Sequence, residues 1–408
     1  MTPRKTFSKA YLVILGWIKH DKNQRSGKFR EMFSHVRLTC VSRDYLLSHV
    51  VTNDLVKGNA HCLGKVNEAL EWLDRPTDYD VPRPHPPRQA LTMNVIVVVD
   101  CYSEMQPCIY HPATDKWYLL PAIERRRLET MEHIVSCRGK VFFITSNVAR
   151  SQCFDPDLNR WSSTPWTDNL PFNTGKPLVA NNRICFLVKT SPSSTDLWTY
   201  SLEDSSLLTL LHTNSVERVE FCAVAVDNYL YVIGGSLWNC DGSLSKCARF
   251  DTEESKWQKI APLNETRRRP FGVCKNEKIF VSGGSSLTGP GPILLKTCEV
   301  YNISTDEWQF IASLTVGRGL GSMTLVDETL YVLGGRTAIA GYVGAGEFSS
   351  RVECYNHESD EWNVKATVPV NKITIKKRGH PWNFLKGCTL PIFKGALTNL
   401  KSLAESRT

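Results

Sequence analysis

Internal repetition constrains this chain more than any other feature of its sequence. Three apolar runs each end in a glycine pair: Leu230-Tyr-Val-Ile-Gly234-Gly235, Ile279-Phe-Val-Ser-Gly283-Gly284 and Leu330-Tyr-Val-Leu-Gly334-Gly335. They recur at intervals of 49 and 51 residues. An aromatic residue follows each pair after 15 to 20 residues, and a tryptophan comes seven residues later, giving Phe250/Trp257, Tyr301/Trp308 and Tyr355/Trp362. The same seven-residue spacing occurs upstream without the glycines, as Tyr110/Trp117 and Phe154/Trp161. A degraded copy has Tyr200 with Leu207 in the tryptophan position. The six aromatic anchors advance by 44, 46, 50, 51 and 54 residues. A unit of this length cannot bury its apolar face alone and must stack on its neighbours.

Each unit reads as four short strands. In the fifth, Phe271–Lys275 and Ile279–Ser282 flank a turn at Asn276-Glu277, and Thr297–Asn302 and Glu307–Ala312 flank a turn at 303–306. Short β-rich runs at even spacing, punctuated by Gly, Asn and Asp, predict an all-β array. The aromatic and the Trp fall on adjacent antiparallel strands, where they can pack between neighbouring sheets. Glycine pairs suit strand ends where chains crowd or φ is positive. In the first three units, Asp100-Cys101, Thr145-Ser146 and Val188-Lys189 stand near the missing glycines. An open array leaves an unpaired edge. Either Ile373–Lys377 or the more apolar Cys388–Phe393 is therefore expected to add the inner strand of the first unit.

Ahead of the repeats, residues 1–75 read as helical. Tyr11, Leu12, Leu15 and Ile18 are placed on one face, Ser42 is a candidate N-cap before Tyr45, Leu46 and Val50, and Leu63, Val66, Leu70 and Leu73 mark a third stripe. Residues 76–90 are Pro-rich and read as a linker. The repeat array occupies 91–397.

The glycine pair with its spaced Tyr and Trp resembles the Kelch repeat, which implies a six-bladed β-propeller. Val13-Ile-Leu-Gly-Trp17 through His20-Asp21, with His35-Val-Arg-Leu38 and Ser42 to Leu46, resemble the middle and end of a BACK domain. Together they resemble the Kelch-like adaptor family of BTB–BACK–Kelch architecture. The expected fold is an all-β six-bladed Kelch propeller behind a small α-helical, partial BACK segment. In that family the BTB domain docks a cullin scaffold and the propeller holds a substrate for ubiquitination. Here the BTB domain has no counterpart and the BACK domain starts partway, which reads as a truncated gene model or shortened isoform. The resemblance implies a protein substrate and a cullin scaffold as partners. Several Kelch proteins bind actin filaments, which makes a cytoskeletal scaffold the alternative.

Sixteen residues before the first glycine of each pair stand Arg218, Arg267 and Arg318. They are expected to ring one end of the central channel; the competing reading has them bracing the blade junctions through carbonyls. Lys372 takes a comparable place after the sixth unit. By resemblance, the partner-binding face also includes the residues after each Arg (Val219, Arg268, Gly319) and after each glycine pair (Ser236, Ser285, Arg336), with Trp238 as an exposed anchor. Arg grips carboxylates bidentately, so an acidic or phosphorylated peptide is the expected ligand class.

The net charge of +8 is not gathered into one tract, so no nucleic-acid partner is expected. Fourteen cysteines lie without a C-x-x-C pair or zinc spacing, several inside apolar runs (Cys185, Cys222, Cys274), which fits a reduced, cytoplasmic compartment. No segment reaches the roughly 18 apolar residues of a membrane helix. A copper-oxidase propeller is a remote alternative. His111, His133, His212, His357 and His380 occupy unlike repeat positions, so no cofactor, metal or enzymatic activity is expected.

Overall fold

A computed structural model of the chain describes residues 4–74, 92–100, 106–123, 131–145, 151–164, 166, 176–181, 183–191, 194–202, 209–213, 218–237, 242–287, 293–337, 349–369 and 385–393. The Pro-rich linker, Trp238, Leu207, Lys372 and Ile373–Lys377 lie outside them.

Six four-stranded antiparallel sheets form the blades of a propeller. From the inner strand outward, blade one is Leu385–Phe393, Thr92–Asp100, Cys108–His111 and Lys116–Leu119. Blade two is Met131–Cys137, Lys140–Thr145, Gln152–Asp155 and Arg160–Ser163. Blade three is Lys176–Ala180, Arg183–Ser191, Ser194–Ser201 and Thr209–Thr213. Blade four is Cys222–Val226, Tyr229–Ile233, Cys247–Asp251 and Lys256–Ile260; blade five is Phe271–Lys275, Lys278–Ser282, Cys298–Asn302 and Glu307–Ile311. Blade six is Ser322–Val326, Thr329–Leu333, Arg351–Asn356 and Glu361–Thr367. The circle is closed by the C-terminal strand, of which Cys388–Phe393 is the expected core. Its Gly387 carbonyl accepts from Ser322 Oγ at 2.7 Å, which ties it to blade six.

The seven-residue spacing becomes a cross-strand pair. Tyr110 faces Trp117, Phe154 faces Trp161, Phe250 faces Trp257, Tyr301 faces Trp308 and Tyr355 faces Trp362. The ring centroids lie between 4.7 and 5.2 Å apart. Two residues before each Trp the chain turns with positive φ, at Asp115, Asn159, Ser255, Asp306 and Asp360. An Asp at this position accepts from the tyrosine hydroxyl at 2.7 Å in blades one, five and six. Blade faces then pack on one another. One apolar cluster joins Phe250 and Leu230 to Leu187 and Leu197, the next joins Ile233 to Val281 and Trp308, another joins Phe271 to Val332 and Trp362, and the last joins Leu333 to Val98 and Tyr110. Burial of such side chains contributes roughly 1.5–3 kcal/mol each.

The helical unit has a core of its own. Its first helix, Arg4–His20, buries Tyr11, Ile14 and Ile18 against Phe29 and Phe33. Leu12 was expected on that face but is 51% exposed, because the i, i+3, i+7 stripe runs through Ile14 and leaves Leu12 a quarter-turn away. Ser42 caps as expected, its Oγ accepting from Tyr45 N at 3.4 Å. Val66 is buried and Leu63, Leu70 and Leu73 pack around it on the helix Ala60–Asp74. No helix among the described residues is long and apolar enough to cross a membrane.

Candidate partner-binding face at the glycine-pair end

Each glycine pair serves a close approach. Gly234 and Gly235 have φ of 63° and 103°, and a Cβ on Gly234 would stand 2.7 Å from the carbonyl oxygen of Arg267 in the next blade. That carbonyl accepts from Gly235 N at 2.7 Å, and the Arg318 carbonyl accepts from Gly284 N at 2.9 Å. The arginine backbone of one blade is thereby locked onto the glycine pair of the blade before it.

The arginine side chains run inward. Arg267 and Arg318 are 0% exposed and Arg218 is 8% exposed. Arg267 donates to the carbonyls of Gly283 and Thr297 at 2.9 Å each and to Glu299 Oε1 at 3.0 Å. Arg318 donates to the Gly334 carbonyl at 3.1 Å and pairs with Glu353. Arg218 donates to the carbonyls of Gly234, Val232 and Lys246, and among the described residues no carboxylate meets it. Burial pulls its guanidinium below the ordinary arginine value. The expectation that these three groups ring the channel mouth is therefore corrected. They brace the blades from inside, since a buried cation needs acceptors on every side.

What the three arginines position is the strand pairing beside them. Val219 pairs with Ser236, Arg268 with Ser285 and Gly319 with Arg336, so the two sets of expected face residues are brought together blade by blade. One residue further along, Glu220, Arg269 and Leu320 all take left-handed φ, of 57°, 55° and 60°. Arg269 N donates to the Glu220 carbonyl at 2.8 Å, and Leu320 N donates to the Arg269 carbonyl at 3.3 Å. Blades four, five and six are thus stitched together by a backbone chain at this end.

Charge at this end is not uniformly positive. Glu220 accepts from Arg269 Nε at 2.6 Å, pairs with Arg268 Nε, and also takes the Ser236 hydroxyl at 3.3 Å. Burial pushes the Glu220 carboxyl up, but the two guanidiniums outweigh it and hold it below the usual glutamate value. Among the expected face residues, Arg268, Ser285, Arg336 and Val219 are half-buried, whereas Gly319 and Ser236 are buried. Glu220 and Arg269 complete the surface and were not singled out from sequence. Their signal was available only as adjacency to the repeated arginine.

Among the described residues no group of three His, Cys, Asp or Glu is placed to hold a metal ion. Burial raises the thiol values of Cys108, Cys185 and Cys247 to about 12.

A Kelch motif model matches residues 217–264, 266–315 and 317–369, which correspond to blades four to six. A BACK model, described as BTB And C-terminal Kelch, matches residues 8–51. Kelch-like protein 35 of Mus musculus is 24% identical over 346 residues, covering 79% of this chain and 56% of that protein. Kelch-like protein 21 of Rattus norvegicus is 25% identical over 378 residues, covering 88% of this chain and 59% of that protein. Kelch repeat and BTB domain-containing protein 12 of Homo sapiens is 20% identical over 376 residues, covering 89% and 55%. The chain therefore spans a little over half the length of these relatives.

Proposed function

We propose that this chain, which carries Kelch repeats behind a BACK segment and is related to Kelch-like proteins, holds a protein partner at the glycine-pair end of its propeller. The observation that carries the reading is the repeated pairing of Val219/Ser236, Arg268/Ser285 and Gly319/Arg336 on three successive blades. It presents side chains from separate blades on one framework, and such a framework costs little ordering on binding. The ligand class is an acidic or phosphorylated segment, for which Arg268, Arg269 and Arg336 supply planar donors. Glu220 already holds the first two, so an incoming acidic group competes with it for their guanidiniums. In this reading the chain acts as the substrate-recognition part of a cullin-dependent ubiquitin ligase.

The test is affinity purification with the full chain and with Arg336→Glu combined with Arg268→Gln. Loss of the main captured proteins from the variant, at unchanged melting temperature, is the expected result. An unchanged capture list moves the site elsewhere. Proximity labelling that finds a cullin separates the ligase reading from a cytoskeletal scaffold, which would instead co-sediment with actin filaments.

A further inference from the structure

At the other end of the blades, where the strands turn, the junctions between neighbours are filled differently. Between blades four and five the filling is an arginine. The Arg249 guanidinium lies 4.6 Å from the Tyr229 ring centroid and donates to Gln258 Oε1 at 2.8 Å. Arg249 is the cross-strand partner of Tyr231, and Val300 is the partner of Phe280 at the same register of blade five. Lys278 likewise stands where Tyr229 does, each opening the second strand of its blade. Blade five has thus lost both the guanidinium and the phenol ring that close the preceding junction. What remains between blades five and six is a cleft of about 280 Å³ lined by Lys278, Phe280, Val300, Ile311, Leu330 and Tyr355.

The chemistry of this cleft is one-sided. Phe280 and Tyr355 present rings 6.4 Å apart, tilted by 55°, which offers a third ring both edge and face contacts. One flank is closed by polar contacts across the junction, with Asn276 Nδ2 donating to Glu328 Oε2 at 3.2 Å and Lys275 pairing with the same carboxylate at 3.7 Å. Glu328 is thereby engaged, while Lys278 has no carboxylate partner among the described residues. An apolar, aromatic-walled cleft with one unneutralised ammonium suits a flat apolar body carrying a single negative charge. The occupied junction beside it holds a group of matching shape, planar and stacked on an aromatic ring.

We infer that the cleft between blades five and six is a binding site for a small aromatic carboxylate, its ring against Phe280, Val300 and Tyr355 and its carboxylate on Lys278. The site lies at the opposite end of the blades from the glycine pairs, so it stands or falls independently of the partner-binding reading.

The test uses 2-naphthoate titrated into the full chain by calorimetry, with saturation-transfer NMR to map the ring. Val300→Arg restores the residue that fills the neighbouring junction and is expected to abolish binding. Lys278→Glu, an exposed change that leaves the fold intact even if Val300→Arg does not, is expected to weaken naphthoate about tenfold, the scale of one lost charge-assisted contact. The same variant should gain affinity for 2-naphthylmethylammonium by a comparable factor. No binding of naphthoate to the wild-type chain overturns the proposal, as does equal binding to wild type and Lys278→Glu.

Discussion

At the junction of blades four and five, Ala261 is held from both sides. Its N–H donates to Asp306 Oδ1 at 2.8 Å and its carbonyl accepts from Trp308 Nε1 at 2.9 Å. Blade six grips Ala312 of blade five in the same way, through Asp360 at 2.9 Å and Trp362 at 3.1 Å. At the junction of blades one and two the matching residue is Pro121. Its carbonyl accepts from Trp161 Nε1 at 2.8 Å, but proline has no N–H to give. The turn residue there is Asn159, the facing aromatic is Phe154 without a hydroxyl, and Asn159 Oδ1 is buried with no hydrogen-bond partner. In the half that carries the glycine pairs, blades four to six, the two joints shared by these blades therefore close with a complete set of hydrogen bonds, while the joint between blades one and two keeps the aromatic packing and drops part of the polar set. The apolar contact is what a blade cannot do without; the hydrogen bonds refine it.

Trp308 tests that ranking most severely. Trp308→Ala removes a buried indole that also carries an inter-blade hydrogen bond, and a loss of about 3–5 kcal/mol is expected in chemical denaturation. Trp257→Ala in blade four should cost less, because that indole N–H has no partner to lose and its ring is half-buried. Equal losses for the two would break the distinction between packing with and without the polar set.

A second comparison lies within the regular half. Blades five and six bury Arg267 with Glu299 and Arg318 with Glu353, whereas blade four has Ala248 at the carboxylate position, one residue after Cys247 as Glu299 is one after Cys298. Glu299→Ala should cost about 3 kcal/mol, since it removes the fully buried carboxylate of the pair and leaves the guanidinium to carbonyls, the Thr297 hydroxyl and the partly exposed Glu265. Ala248→Glu probes the reverse. It offers a partner to Arg218, which is already desolvated, and should raise stability by about 1 kcal/mol. Thermal melts of the two variants side by side would measure whether blade four tolerates its lone arginine or is weakened by it. A destabilised Ala248→Glu would show that the carbonyls already satisfy Arg218.

The regular half was legible in the sequence because spacing alone fixes cross-strand partners. Tyr301 and Trp308 are seven apart, which in a hairpin with a short turn makes them direct neighbours, and the strands of blade five fall within a residue of where the pattern puts them. The arginines misled for an equally physical reason. A repeated cation reads as a surface charge until its counter-ion is found, and Glu299 and Glu353 sit 32 and 35 residues downstream on another strand. Blade three was harder still. Its second strand runs on to Ser191, which pairs with Ser194 at the start of the third, so no glycine pair is required there. An indole at this joint comes from Trp166, in the connection after blade two, which packs on Phe142 of blade two and on Phe186 and Tyr200 of blade three. Nothing in the repeat spacing marks that residue.

The smallest expected effect bears on the comparison between the halves most directly. Phe154→Tyr adds to blade two the hydroxyl that Tyr110, Tyr301 and Tyr355 already aim at their turn carboxylates. In blade two the acceptor would be Asn159 Oδ1, five residues on as in the other blades, and it is at present buried and unpartnered. Satisfying it without creating a cavity should raise stability by about 0.5–1 kcal/mol, the net worth of one neutral hydrogen bond. Phe154→Tyr with Asn159→Ala should return to near the wild-type value or below, because the new hydroxyl then lacks its acceptor. A gain that survives in the double variant would mean the hydroxyl acts by some other contact, and that the missing polar set is not what distinguishes blade two from blades five and six.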